Sequence, residues 1–402
     1  MSSKDERQLE SPREPTKIWN KTFVSIFLSN MVMWLGQMMS NALLPVYAES
    51  LGATPTIIGA LVSSFAITAI VLRIIAAPAI DSYNKKYIAI GSILVFAVAY
   101  LGFGISRSIP SLIVFRLVQG LGQAFASVCF LTIVADVLPK DKYGTGIGYF
   151  SVAQVVSQAI GPSIGLWLVG LVGYNATFLI NMGIMLLAAI LALQIDLPYK
   201  RMKKMEISLS NVIAKEAIMP MAVTFFVMIA FAIVQSFLIV FASQQGVGSE
   251  IGIYFMVTAV TMVFTRPAIG RMVDKYGLVK VLIPGLFCDV VAFIIISFAH
   301  TLMTFLVAGF ISAFGFGACL PALQALVMKT VTKERRGAGS CTNAIGMDLG
   351  TLIGPLVAGM IAQAFGYPVM WRIMVIPFII AMLILLVFRT KITQVEVNFG
   401  IE

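Results

Sequence analysis

Arg266-Pro-Ala-Ile-Gly270-Arg271-Met-Val-Asp274-Lys275-Tyr-Gly277 has an earlier copy, roughly 193 positions upstream, in Arg73-Ile-Ile-Ala-Ala77-Pro-Ala-Ile-Asp81-Ser-Tyr-Asn84. The same offset lays Gly122 on Gly315 and Gly161-Pro162 on Gly354-Pro355. It also lays Lys140-Asp141-Lys142-Tyr143-Gly144 on Lys333-Glu334-Arg335-Arg336-Gly337. One offset held over more than eighty residues marks a duplicated fold half. Both copies sit among apolar runs long enough to cross a bilayer. Two halves repeated in the same orientation predict a pseudo-twofold along the membrane normal, with one half rocking against the other around a central site.

Composition supports the membrane. Of 402 residues, 59% are hydrophobic and only 11% charged, against about 25% charged in soluble domains; the mean hydropathy is +0.96. The net charge of +10 forms no basic face. It lies in loops between apolar runs, as insertion orientation requires, so nucleic acid is not an expected partner. Cys129, Cys288, Cys319 and Cys341 lie in or beside apolar segments with no paired spacing and read as small apolar residues. With His300 the single histidine, no metal site and no cofactor is expected. No Gly-rich phosphate loop appears, so ATP is not the expected energy source, and nothing suggests an enzyme.

A span needs about twenty mostly apolar residues. Such runs begin near Phe23, Ile57, Ile88, Pro110, Gly146, Thr177, Met219, Ile251, Val281, Leu302, Ala344 and Val369. Backbone groups find no partner in lipid, so these are helices. The expected fold is all-α, with twelve transmembrane helices in two six-helix bundles. Alternate loops carry Lys85 and Lys86, Lys140 and Lys142, Lys200 to Lys215, Arg271 to Lys280, and Lys329 to Arg336, while the opposite loops hold chiefly Arg107 and Arg372. This bias places both termini in the cytoplasm of a plasma-membrane protein. The expected divisions are a polar tail at 1–17, bundles at 18–197 and 219–390, a basic cytoplasmic linker at 198–218 and a tail at 391–402.

Three motifs together resemble the major facilitator superfamily across essentially the whole chain. They are the loop motif quoted above in both copies, Arg116-Leu-Val-Gln119-Gly120-Leu-Gly122 in span four, and a Gly-Pro element. That element reads Gly161-Pro162-Ser-Ile-Gly165 in span five and Gly350, Gly354-Pro355, Ala358-Gly359 in span eleven. The last two motifs are similar to the twelve-span drug:proton antiporter branch, from which the chain departs at Ser157 and Leu166, where glycines are the pattern. The resemblance implies alternating access, a small-molecule substrate, protons as coupling ion, and spans one, four, seven and ten around a central cavity.

Polar residues inside spans are the pointers to a substrate path. Asn30, Trp34, Gln37 and Asn41 share one face of span one, and Arg116, Gln119, Gln123 and Ser127 one face of span four. Gln154, Gln158, Gln235, Tyr254, Thr258 and Thr261 follow, with Phe231, Phe310 and Phe314 as apolar contacts. The competing account is hydrogen bonding between helices, which favours the same residue types. Arg73, Asp81, Lys85 and Asp136 are expected to form a cytoplasmic gate, repeated by Arg266, Gly270, Arg271 and Asp274 with Lys329 in place of the second Asp136. The simpler alternative is that Asp81 and Lys85 orient the chain and cap helices. Gly161, Pro162, Gly350, Gly354 and Pro355 are the expected packing and hinge positions of the rocking helices.

Arg116 inside a span costs at least roughly 2.5–3.5 kcal/mol unless paired or hydrated. Antiporters of the resembled branch usually place a carboxylate in span one, and here only amides stand there. Asp348 in span eleven is the preferred proton carrier, with Asp289 in span nine second and more suited to packing. If no acid neutralises Arg116, the counter-charge arrives with the substrate, which points to an anionic or zwitterionic metabolite. The leading expectation is a monomeric proton-coupled exporter of a small organic compound or drug. The alternatives are a transporter of an organic anion, amino-acid derivative or metal chelator, and a membrane sensor or scaffold that moves nothing.

Overall fold

The computed structural model describes residues 18–138, 143–197, 213–331 and 336–401; side chains including Asp81, Gly270 and Asp274 lie outside that description. The expected tail at 1–17 and the linker residues 198–212 also fall outside it. No β-strand occurs among the described residues. The helices are α1 (Lys21–Ser50), α2 (Pro55–Ser82), α3 (Lys85–Ile105), α4 (Ile109–Val137) and α5 (Tyr143–Leu193), then α6 (Ile218–Gln244), α7 (Gly252–Tyr276), α8 (Leu278–Ser297), α9 (Leu302–Thr330) and α10 (Arg336–Phe365). Short α11 (Tyr367–Ile373) and α12 (Ile376–Val387) follow, and α13 (Arg389–Ile401) ends the chain.

The helices begin where side-chain oxygens can satisfy the free N–H groups of a first turn. Asn20 accepts from Phe23 N–H at 2.8 Å, and Asn84 from Lys86 N–H at 3.0 Å. Thr54 stands before α2, and Pro55 gives that helix a first residue that has no N–H to orphan. Gly173 divides α5 into two passes: its φ of 78° and ψ of 172° turn the chain back on itself, a backbone state that L side chains disfavour. Gly366, at the repeat offset from Gly173, holds φ 82° between α10 and α11. The duplication read from sequence is therefore also written in the turns.

Among the described residues, ten helices are long and apolar enough to cross a membrane, one of them the double pass within Tyr149–Leu193. With α7 this gives twelve passes, α11 and α12 forming the last. The halves pack alike: α1 lies on residues 143–172 as α6 lies on α10, α2 on α4 as α7 on α9, and α3 on α4 as α8 on α9. Between the halves, α2 packs on α10 and α5 on α7, two contacts that the repeat interchanges, and α1 meets α6.

The halves are pressed together at the end opposite the basic loops. A Cβ on Gly59 would strike the Pro355 carbonyl, one on Gly359 the Pro55 carbonyl, and one on Gly252 would lie 2.7 Å from Ser163 Oγ. Gln244 Nε2 donates to Glu49 Oε1 at 2.9 Å across the same end. Lipid provides no hydrophobic drive between helices, so close backbone approach at small residues is what holds such a face.

Residues 391–401 lie in α13, whose Ile392 is fully buried and whose Glu396 accepts from Leu278 N–H at 3.0 Å. The described end of the linker, Lys215–Ala217, is one 3-10 turn, and Ala214 N–H donates to Thr342 Oγ1 at 2.8 Å.

Candidate functional site

The polar stripes of spans one and four meet each other. Arg116 Nη1 donates to Asn41 Oδ1 at 3.0 Å and to Gln119 Oε1 at 2.6 Å. Gln119 Nε2 donates to Tyr100 Oη at 3.1 Å, and Gln37 Nε2 to Gln123 Oε1 at 3.2 Å. The guanidinium also lies 4.7 Å from the centre of the Phe65 ring, within cation–π range. Arg116, Gln119, Gln37 and Asn30 are each 4% exposed or less. Arg116, Gln119, Gln37, Asn41 and Gln123 thus bond to one another inside the first bundle, and none of them lines the cleft between the halves. Trp34 is half-buried and packs on the core. A guanidinium can be met by amide oxygens and an aromatic face, and Arg116 does not need a ligand's charge.

The expected gate divides into separate parts. Lys85 Nζ and Asp136 Oδ2 form an ion pair at 2.6 Å, tying α3 to α4. Arg73 is not in that cluster. Its Nη2 donates to Asp348 Oδ1 at 3.2 Å, and its Nε lies 2.9 Å from Oδ2, off the line of a hydrogen bond. This pair joins α2 of one half to α10 of the other. The two helices run in opposite directions and Cβ atoms tilt toward each helix's own N-terminus, so the side chains lean toward one another. Arg271 is exposed, and the gate positions Asp81, Gly270 and Asp274 lie outside the described side chains and residues.

A narrow cleft lies between the halves. Residues 143–172 contribute Val155 and Gln158, α6 contributes Phe231, Val234 and Gln235, α7 contributes Tyr254, Thr258, Met262 and Arg266, and α9 contributes Ser312 and Phe316. Tyr254 to Arg266 covers about 18 Å of helix, with aromatic rings toward one end and the cation at the other. Gln158, Gln235, Tyr254 and Phe231, expected around a cavity, line this cleft; so do Arg266, expected in a gate, and Ser312 and Phe316, which the sequence did not single out. Phe310 and Phe314 pack edge to face at 5.4 Å on the exposed side of α9. Residues two apart on a helix face nearly opposite ways, so while Ser312 and Phe316 face the cleft, these two rings do not. Gln154 is exposed and also outside it.

Asp289 is fully buried between α8 and α9, accepts from Ser312 Oγ at 3.2 Å, and turns its other oxygen to Gly315, where a Cβ would collide with it. It stands behind the cleft wall. The glycines of the Gly-Pro elements bring helices together within each half: a Cβ on Gly161 would lie 2.7 Å from Met38 Cβ, and Cβ atoms on Gly350 and Gly354 would each lie 2.6 Å from carbonyls of α6. Pro162 and Pro355 sit inside α5 and α10, each removing one backbone donor.

Residues 26–271 and 221–400 match the family model described as Major Facilitator Superfamily. An uncharacterized MFS-type transporter of Methanocaldococcus jannaschii is 24% identical over 89% of this chain and 95% of its own. Multidrug resistance protein 1 of Bacillus subtilis is 24% identical over 84% and 89%. Among solved structures, a bacterial homolog of the human lysosomal transporter Spinster, inward-facing and unoccupied, superposes with a TM-score of 0.79 at 16% identity, covering 93% of this chain and 97% of that one.

Proposed function

The chain belongs to the major facilitator superfamily and is a membrane transporter rather than an enzyme; from that premise we propose that it exports a small organic compound by alternating access, driven by protons. The observation that carries this reading is the Arg73–Asp348 contact, which links the two halves. An ion pair inside a bilayer holds only while both members are charged. A proton taken up by Asp348 removes its attraction for Arg73, frees α2 from α10, and lets the halves exchange the end at which they touch. Release of the proton restores the pair. The closed glycine face is then one of two alternating closures, and the Pro162 and Pro355 helices supply the bend. Export, rather than uptake, is the direction favoured by the likeness to multidrug resistance proteins.

The test is transport in proteoliposomes, with a mixed panel of drugs and metabolites and with or without an imposed pH gradient. Asp348→Asn, which cannot cycle a proton, should abolish gradient-driven accumulation while sparing counterflow exchange. Unchanged gradient-driven transport in that variant removes Asp348 from the mechanism. Vesicles that move none of the panel leave the sensing or scaffolding role.

A further inference from the structure

We propose that the substrate is a small organic anion, an aromatic or otherwise apolar body bearing a carboxylate, held by Arg266 in the cleft between the halves. This rests on the reading of the chain as a transporter and names the chemistry of what it binds.

The argument comes from the broken symmetry of the repeat. Arg73 and Arg266 are equivalent positions on equivalent helices, α2 and α7. Each faces a helix of the other half, α10 and residues 143–172 respectively, and these too are equivalent. On α10, Asp348 meets Arg73. At the same offset on the facing helix of the second site stands Val155, and it lines the cleft beside Arg266. One arginine has its carboxylate built in; at the other the position is apolar.

Arg266 therefore keeps a free charge. Arg73, Arg116 and Arg266 all leave a buried Nε unbonded, but Arg73 and Arg116 are held through their Nη atoms, whereas no ion pair or hydrogen bond to Arg266 is found among the described residues. An uncompensated guanidinium within the membrane is costly, and its planar fork suits a carboxylate held by two parallel hydrogen bonds. The acid nearest the cleft wall, Asp289, directs its carboxyl to Ser312 and Gly315 rather than to Arg266. The cleft lies between the halves, so the relative motion of the halves that admits a ligand also sets its width. Phe231 and Phe316 pack edge to face at 5.4 Å and give the ligand body an apolar wall, while Gln158 and Gln235 supply amide groups to a polar substituent.

Binding is measured without transport, so failure here and failure of proton coupling are distinguishable. The purified protein in phosphatidylcholine nanodiscs is titrated with 3-phenylpropionate, its primary amide and 3-phenylpropylamine, following ligand-induced thermal stabilisation. The acid should bind tightest. Arg266→Gln should weaken the acid by roughly 10- to 100-fold and leave the amide unchanged. Arg266→Lys should keep part of the acid's affinity. Val155→Asp, which restores the missing internal carboxylate, should expel the acid and raise the ligand-free melting temperature. Equal binding of acid and amine by the wild type, or an acid affinity unmoved by Val155→Asp, overturns the proposal. Loss of acid binding when phosphatidylglycerol is added to the nanodiscs gives the site to a lipid headgroup and overturns it as well.

Discussion

Arg116 and Arg266 are both arginines inside spans, and their surroundings assign them opposite roles. Arg116 is enclosed by Asn41, Gln119 and Phe65. Replacing it with alanine strands the buried Gln119 oxygen, a penalty of about 1–3 kcal/mol where nothing replaces the donor, and frees the half-buried Asn41. Arg116→Ala should therefore lower the melting temperature of the purified protein and reduce transport of anionic and cationic compounds equally. A selective loss of anions would return Arg116 to the substrate path. The sequence showed that a buried cation lacked an acid in span one, but not which of the two arginines stayed without a partner. That depended on α5 and α7 facing each other, a tertiary fact that no local pattern records.

At the scale of elements, the glycines decide how near the halves can come. The backbone at Pro355 and Pro55 cannot move aside as a flexible side chain would, so Gly59→Leu or Gly359→Leu should force α2 and α10 apart at that end. In a background with Cys129, Cys288, Cys319 and Cys341 removed, a cysteine at Ser163 should then react several-fold faster with a polar maleimide. An unchanged rate would mean that the glycine face does not control access. Helix number and the two Gly-Pro elements were legible beforehand because span length and proline chemistry are local properties. The orientation of Phe310 and Phe314 was not: a helix that is apolar all round carries little information about which side turns to a given neighbour.

Across the whole molecule, the repeat found in the sequence became matched packing in the two halves, and the charge bias of the loops sets a separate expectation. Twelve passes bring the chain back to the side from which it started. A membrane-impermeant thiol reagent should label Ser3→Cys and Glu402→Cys in inverted vesicles only, with the native cysteines removed. Labelling of one terminus from each side would refute the even number of crossings. The gate was the least legible feature, because its two copies diverged: the first Arg pairs across the halves, and the second opens onto a cleft.

The Glu396 carboxylate on the first amide of α8 has a practical corollary for anyone handling the purified material. Trimming the chain at Lys391, or fusing a reporter directly there, would leave that helix start bare and unseat Ile392 from the bundle. Affinity handles belong beyond Glu402, behind a spacer, or at the other end of the polypeptide.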